Sequence, residues 1–471
     1  MGRKDGRDER APFGWHRKKE AKEESAMKRM GICLIAGLLL AALPLVMNAE
    51  KAPFYYGHSR ELHASVYHQE ENSGIKEGDM YFLSWDENVD AVGYELEIAE
   101  EEGAWDEEQP SGKAVYHVPK VYVPGIMISS SSLSLKAETK DRLYWRVRPF
   151  DLDGKPAGPF SAPRRLEGAL VPIHRYAPLP RPYDEGEKGA ALLYPVYSYI
   201  GIPGADSYEV EVTSRYPENE DGYAPSRYRV YAGVTTLTDL YDPAPRKGTY
   251  YWRVRGLDRE GHPVGIWSLP QKRTLDVHGW TVGVFGDSIS HGGGHLSFSP
   301  ADRAYSYESY LSFPVVNLSQ SGDTSAMMVE RFEKDVVPFH LRTVLIMGGT
   351  NSLRAGVPAE EVIHDLETLE MMSYAHGITP VFLTLPPINP ASIARAFQEP
   401  TAEDWQASFR RVNDFIRTRK HIDTAAPFEG MEVMPQSLAL DGLHGDWRAK
   451  RDMAAVINEA WRNGRPALGT S

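Results

Sequence analysis

Two kinds of hydrophobic pattern divide this chain. Between about residues 55 and 275, apolar and polar positions alternate in short runs, the mark of half-buried strands. Tyr94-Glu95-Leu96-Glu97-Ile98 and Tyr144-Trp145-Arg146-Val147-Arg148 are two of them. Alternation puts Trp145 and Val147 on one face and Arg146 and Arg148 on the other. From about residue 278 continuous apolar runs take over, at Thr281 to Phe285, Val315 to Leu318, Val344 to Met347 and Val381 to Leu385. Helical spacing falls between and after them. Trp405, Phe409, Val412 and Ile416 recur within Thr401 to Arg417, with Thr401 and Asp404 as a capping-box-like start. A further helix is predicted over Trp447 to Trp461, with Asp446 as its N-cap. Strand–helix alternation implies a parallel sheet covered on both faces. Reactive groups in such folds gather outside the carboxyl ends of the strands.

The alternating region echoes itself. Tyr144-Trp145-Arg146-Val147-Arg148 recurs as Tyr251-Trp252-Arg253-Val254-Arg255. Downstream, Asp151 matches Asp258, Gly154 matches Gly261, Pro156 matches Pro263, Gly158 matches Gly265, Phe160 matches Trp267 and Ser161 matches Ser268. Upstream, Tyr208-Glu209-Val210-Glu211-Val212 repeats the Tyr94 run after a shift of a few residues, which places a loop-length difference between the landmarks. A unit of about 105 residues built from short strands and Asp-Gly or Gly-Pro turns reads as a β-sandwich. The strand, the Asp-x-x-Gly turn and the closing Ser strand resemble fibronectin type III modules, over about 55–165 and 190–275. The Pro-rich stretch Pro172 to Pro182 reads as a stiff linker between them. A spacer or scaffold role is the expectation for both modules, ahead of glycan binding through exposed aromatics, since strand Tyr and Trp are mostly packed.

Composition narrows the partners. A net charge of −13 argues against a nucleic-acid partner, which calls for clustered Lys and Arg. Met30 to Met47 is free of charge, follows Lys28 and Arg29, and is closed by Asn48-Ala49-Glu50. That reads as a secretory signal peptide cleaved after about Ala49, or, uncleaved, as a membrane anchor over residues 30–47. The protein is expected to be exported, to the extracellular space or the cell envelope. A start at Met27 would give a compact signal of the usual shape, making the charged residues before it an upstream extension. Cys33, the one cysteine, lies inside that segment, so cleavage leaves no thiol for disulfides or catalysis.

The first three predicted strands of the last region each lead into a block of small and polar residues, and a fourth block stands further on. Gly286-Asp287-Ser288-Ile289-Ser290 comes after the first. Asn317-Leu318-Ser319-Gln320-Ser321-Gly322-Asp323-Thr324 comes with the second. Gly348-Gly349-Thr350-Asn351 follows the third, and Asp441-Gly442-Leu443-His444 stands near the end. The four blocks in this order resemble the SGNH, or GDSL-type, serine hydrolase family. The resemblance implies a three-layer α/β/α domain with a parallel sheet and esterase chemistry. It makes Ser288 the nucleophile, His444 the general base and Asp441 the carboxylate that orients it. It assigns the oxyanion hole to Ser288 N–H, Gly322 N–H and the Asn351 amide. One position departs: the family often has Asp after the Asn, and here Ser352 stands there.

The chemistry agrees with those roles. A serine hydroxyl needs a base to take its proton, a histidine can do so near neutral pH, and the oxyanion needs preplaced donors. Taken singly, each residue is an ordinary turn former or surface histidine. Asp287 and Asp323 are expected to shape turns. His291-Gly292-Gly293-Gly294 reads as a flexible loop beside the site. His340, His364, His376 and His421 lack metal spacing, and neither metal nor cofactor is expected.

The sequence therefore divides into a charged extension with signal peptide or anchor (1–49), two fibronectin type III-like sandwiches (50–170 and 171–275) and an SGNH/GDSL hydrolase domain (276–471). Its expected substrate is a carboxylic ester, first an O-acetyl group on a polysaccharide. Lysophospholipids or aryl esters come second, and a catalytically silent, glycan-binding envelope protein is the reading from another class. Acyl chain length, hydrolysis against acyl transfer, and oligomeric state are not legible.

Overall fold

A computed structural model of the chain describes residues 64–66 and most of 79–464; among the internal stretches it leaves undescribed, 106–113, 134–141, 182–188 and 293–302 are the longest. The Met30 to Met47 segment with Cys33, Asp151 of the repeat, part of the Pro172 to Pro182 stretch, Gly293 and Gly294 lie outside the described residues.

In the first half, two antiparallel sheets face each other. One pairs Asp79–Trp85 with Ala64–Val66, Gly125–Ser129 and Val171–Pro172. The other runs Ala114–Val121, Gly93–Ala99, Tyr144–Phe150, Arg164–Arg165. Leu83, Trp85, Leu96, Ile98, Ile128, Trp145 and Val147 form the shared core. The second half repeats the plan. Leu179–Pro180, Val196–Ile200 and Asp239–Tyr241 face a sheet of Arg229–Thr235, Ser207–Thr213, Gly248–Leu257, Pro263–Val264 and Gln271–Leu275. Tyr197, Tyr199, Val210, Val212, Trp252 and Val254 fill this core. Pro172 and Pro180 of the Pro-rich stretch thus lie in strands of successive sandwiches.

The expectation of half-buried strands needs correcting. Tyr144–Phe150 is buried on both faces but for its first residue, and Arg146 is only 1% exposed. The outward face is covered by a ladder of charge and aromatic rings. Arg146 pairs with Glu97 and Arg148 with Glu95, and both guanidiniums stack on Phe160, at 3.9 and 4.4 Å. In the second sandwich Arg253 pairs with Glu211 and Arg255 with Glu209, around Trp267 at 4.6 and 4.5 Å. Phe160 and Trp267, matched in the repeat, do the same job. So do Ser161 and Ser268, whose hydroxyls accept from Val147 N–H at 3.2 Å and Val254 N–H at 3.0 Å. Full pairing makes these buried charges tolerable.

The last region holds a five-stranded parallel sheet. Its order is Val316–Asn317, Val282–Gly286, Thr343–Met347, Thr379–Leu383, His421–Ile422. All five residues of Val282–Gly286 are buried, as a sheet covered on both faces requires. The order doubles back at the first strand, which leaves a crevice outside its carboxyl end. The helix predicted from Thr401 starts later, at Trp405, and Asp404 makes no capping hydrogen bond from its side chain. The reason is a distant contact: Ala402 N–H bonds Arg354 O at 2.9 Å, which holds this stretch against the end of helix Thr350–Arg354. Asp446 does cap its helix, Trp447–Arg462, accepting from Ala449 N–H at 2.9 Å.

Residues 190–194 belong to the sandwich segment by sequence, yet they reach the parallel sheet. Leu192 bridges Asn317 in parallel. Leu193 N–H donates to Asn317 O at 2.9 Å, and Asn317 N–H to Ala191 O at 2.8 Å.

Candidate active site

The Val282–Gly286 strand ends in a sharp turn. Asp287 accepts from Ile289 N–H at 2.9 Å and caps a four-residue helix, Ser288–His291. Ser288, its first residue, is buried to 5% exposure. Its Oγ lies 2.8 Å from His444 Nε2, across 156 residues of sequence. His444 Nδ1 lies 2.7 Å from Asp441 Oδ2. A carboxylate oxygen only accepts, so Nδ1 carries the hydrogen and Nε2 is left bare toward the serine. Asp441 Oδ1 accepts from Leu443 N–H and His444 N–H, both at 2.8 Å. Burial alone would raise the Asp441 carboxyl. The facing His444 and these hydrogen bonds outweigh it and hold the group below the usual range. Gly442 makes the turn: its φ is +81°, and a Cβ would strike the Asn389 carbonyl. Phe397 stands edge-on to the His444 ring, at 6.1 Å.

The second and third blocks close on the same place. Gly322 has φ +90° and is half-buried. Beside it, Asn351 Nδ2–H donates to Asp323 O at 2.9 Å, and Arg354 Nε–H to Asn351 Oδ1 at 3.2 Å. Arg354 is held in turn by Glu399 at 2.8 Å. Ser352, where the family often has Asp, takes up another task. Its Oγ accepts from Ser325 N–H at 3.0 Å, at the start of helix Ser325–Asp335.

Some of the framework was not foreseen. Arg331 lies buried on that helix and ties two blocks together. It donates to Asp323 Oδ2 at 2.5 Å, to Leu318 O at 2.6 Å and to Gly286 O at 3.1 Å, while stacking on Phe285 at 4.1 Å. Burial raises the Asp323 carboxyl to about 7 in spite of this cation. Asn317 donates its side-chain amide to the Ser290 and His291 carbonyls at 3.0 and 3.3 Å, closing the end of the Ser288 helix. Lys450, wholly buried, donates to Ile289 O. Burial lowers its ammonium and raises the carboxyl of nearby Glu308, and each charge partly offsets the other's shift. A charged residue among buried neighbours on a helix face, such as Arg331 beside Met328 and Phe332, is the one signal that could have revealed this layer.

His291 departs from its expectation. It is the last residue of the nucleophile-bearing helix, with no exposed surface, and not part of a loose loop. Asp287 and Asp323 serve as a cap and an ion-pair partner.

The row Ser288–His444–Asp441 can pass a proton, and the turn carrying Gly322 stands beside the Asn351 amide where a donor pair is needed. No curated protein matches the chain. Solved structures with which it shares similarity include a GDSL-like lipase from Bacteroides thetaiotaomicron, at 18% identity over 39% of this chain and 88% of that one, with a TM-score of 0.32. A lipase/acylhydrolase from Enterococcus faecalis matches at 21% identity over 41% of this chain and 100% of that one, TM-score 0.31. An acetylxylan esterase from Geobacillus stearothermophilus matches at 21% over 39% and 94%, TM-score 0.31. Residues 284–446 match the model of the GDSL-like Lipase/Acylhydrolase family, a stretch that opens inside the strand before Ser288 and closes two residues after His444.

Proposed function

We propose that this protein is an exported serine esterase, and that Ser288, His444 and Asp441 are its catalytic residues. The observation that carries the reading is the hydrogen-bonded row from Ser288 Oγ through the imidazole to Asp441, built from the two ends of the matched region. Ser288 Oγ attacks the ester carbonyl carbon as its proton passes to His444 Nε2. The carbonyl oxygen becomes an oxyanion, held by Ser288 N–H, Gly322 N–H and Asn351 Nδ2–H. The tetrahedral intermediate collapses, the C–O bond to the alcohol breaks, and Nε2–H protonates the leaving oxygen. Water then attacks the acyl-enzyme, giving its proton to Nε2. The acid departs and the proton returns to Ser288 Oγ.

The substrate class we favour is an O-acetyl group on a polysaccharide. Its support is the company the hydrolase region keeps: a segment that reads as an export signal and two β-sandwiches whose sequences resemble fibronectin type III modules. The test is hydrolysis of p-nitrophenyl acetate, butyrate and octanoate, with acetate release from acetylated xylan and fatty-acid release from lysolipid, beside Ser288→Ala. A preference for acetyl, lost in the variant, supports the reading. Preference for octanoate and lysolipid moves the substrate to lipids. A folded wild type that neither turns over any ester nor takes up a fluorophosphonate would sink the esterase itself.

A further inference from the structure

Three features of the second sandwich converge on the helix that carries Ser288, and the repeat pattern gives no reason for them. Tyr194 O lies 2.7 Å from His291 Nε2. Tyr241, at the end of strand Asp239–Tyr241, meets the His291 ring edge-on at 5.3 Å. Ala191 and Leu193 hold the backbone of Asn317, whose side chain closes the same helix end.

The His291 ring is also tied to the oxyanion loop: Nδ1 lies 2.8 Å from Ser321 Oγ, next to Gly322. The proton's place follows from the partners. A backbone carbonyl can only accept, so Nε2 carries the hydrogen toward Tyr194 O. Nδ1 is then bare and accepts from the Ser321 hydroxyl. The sandwich carbonyl thereby selects the tautomer that Ser321 needs. The other tautomer would leave Tyr194 O without its donor in a buried place, which is costly. Burial keeps the imidazole neutral, its pKa lowered to about 4.

Building on the esterase reading, we propose that His291 is a positioning residue of this site and that the second sandwich is a working part of the enzyme. His291 locks the Ser288 helix to the Ser321–Gly322 loop, and the backbone at Tyr194 and the ring of Tyr241 hold it in place. The distance between nucleophile and oxyanion donor is set through this joint, so loosening it raises the barrier to chemistry without weakening substrate binding.

The test uses the full chain and p-nitrophenyl acetate. His291→Gln keeps a donor near the Nε2 position for Tyr194 O and loses the acceptor for Ser321. Ser321→Ala removes the same bond from the other side, at a half-buried position. Each is expected to lower kcat about tenfold, with KM within about twofold of wild type. The double variant should be no worse than the poorer single, because both cut one bond. Tyr241→Ala, within the sandwich, should lower kcat several-fold in the same pattern. Titration of Ser288 with a fluorophosphonate normalises every rate to the folded fraction. Folded Ser321→Ala and Tyr241→Ala proteins with wild-type kcat would overturn the proposal, as would losses that add independently in the double variant. An unreactive Ser288 in the wild type fails the esterase reading instead, and shows itself before any variant is compared.

Discussion

Asn351 and Asp323 stand 28 residues apart in sequence, and the side-chain amide of the first meets the backbone carbonyl of the second at 2.9 Å. That bond joins the third loop of the parallel sheet to the second. Arg354 settles which end of the amide is which, because a guanidinium can donate only to Oδ1. Nδ2 has a second hydrogen available for the oxyanion. Asn351→Ala is therefore expected to lower kcat by about 10²–10³-fold, with KM little changed. Steady-state kinetics on p-nitrophenyl acetate check it, and a loss confined to KM would assign Asn351 to ground-state binding.

Asp441 fixes the tautomer of His444, so its charge matters less than its inability to donate. Asp441→Asn presents an amide that can donate to Nδ1, which lets the imidazole turn its N–H toward Ser288. The expected loss is about 10⁴-fold in kcat, by analogy with the same change in Ser-His-Asp proteases. Activity within about tenfold of wild type would remove Asp441 from the catalytic row.

Asp287 offers a pH test. Burial holds its carboxyl up at about 6, against the hydrogen bond from Ile289 N–H, and Oδ2 has no hydrogen-bond partner among the described residues. The folded-state value lies above the unfolded one of about 3.9, so the folded protein keeps this proton longer. Its contribution to stability is full below about pH 4 and is lost as pH rises through 6. Asp287→Asn keeps a side-chain acceptor for the helix cap and abolishes the titration. Relative to the variant, the wild type should lose on the order of 3 kcal/mol between pH 4 and 7. Urea titrations at several pH values measure it, and a difference flat with pH would show that the buried carboxyl titrates normally.

Arg253 tests the ladder of the second sandwich. Its guanidinium and the Glu211 carboxylate are both without exposed surface, and Trp267 lies over the arginine. Arg253→Ala takes away the 2.6 Å partner of Glu211 Oε2, while Arg229 and Ser226 N–H still hold Oε1, and should destabilise the sandwich by about 3 kcal/mol, the low end for a broken buried pair. Arg253→Met with Glu211→Gln removes both charges and should recover much of that loss. Because the sandwich touches the Ser288 helix through Tyr194 and Tyr241, unfolding followed by Trp fluorescence should track loss of esterase activity. Activity that outlasts the fluorescence change would show the sandwich opening on its own.

Much of the molecule was readable in the sequence because it is written locally. The Tyr-Trp-Arg-Val-Arg repeat announced two equivalent strands, and the pairing of Phe160 with Trp267 and of Ser161 with Ser268 placed residues that do equivalent work. The apolar runs after residue 278 announced the parallel strands, and small polar blocks marked the ends of those strands. Alternation, helical spacing and turn chemistry all act over a few residues, so one segment suffices to show them. What covers the far side of a strand is not local. Arg146 looks like a solvated face until Glu97 from the neighbouring strand and Phe160 from a following loop arrive and bury it. Asp404 has the right spacing for a cap, but a backbone bond from Ala402 to Arg354 decides where the helix starts. His291 looked like the start of a loose glycine loop, and only Tyr194, 97 residues away, makes it a buried clamp. Local sequence chose the elements and the reactive side chains. Which polar atoms meet across the fold, and therefore what holds Ser288 in place, was decided when distant segments packed and each buried donor had to find its acceptor.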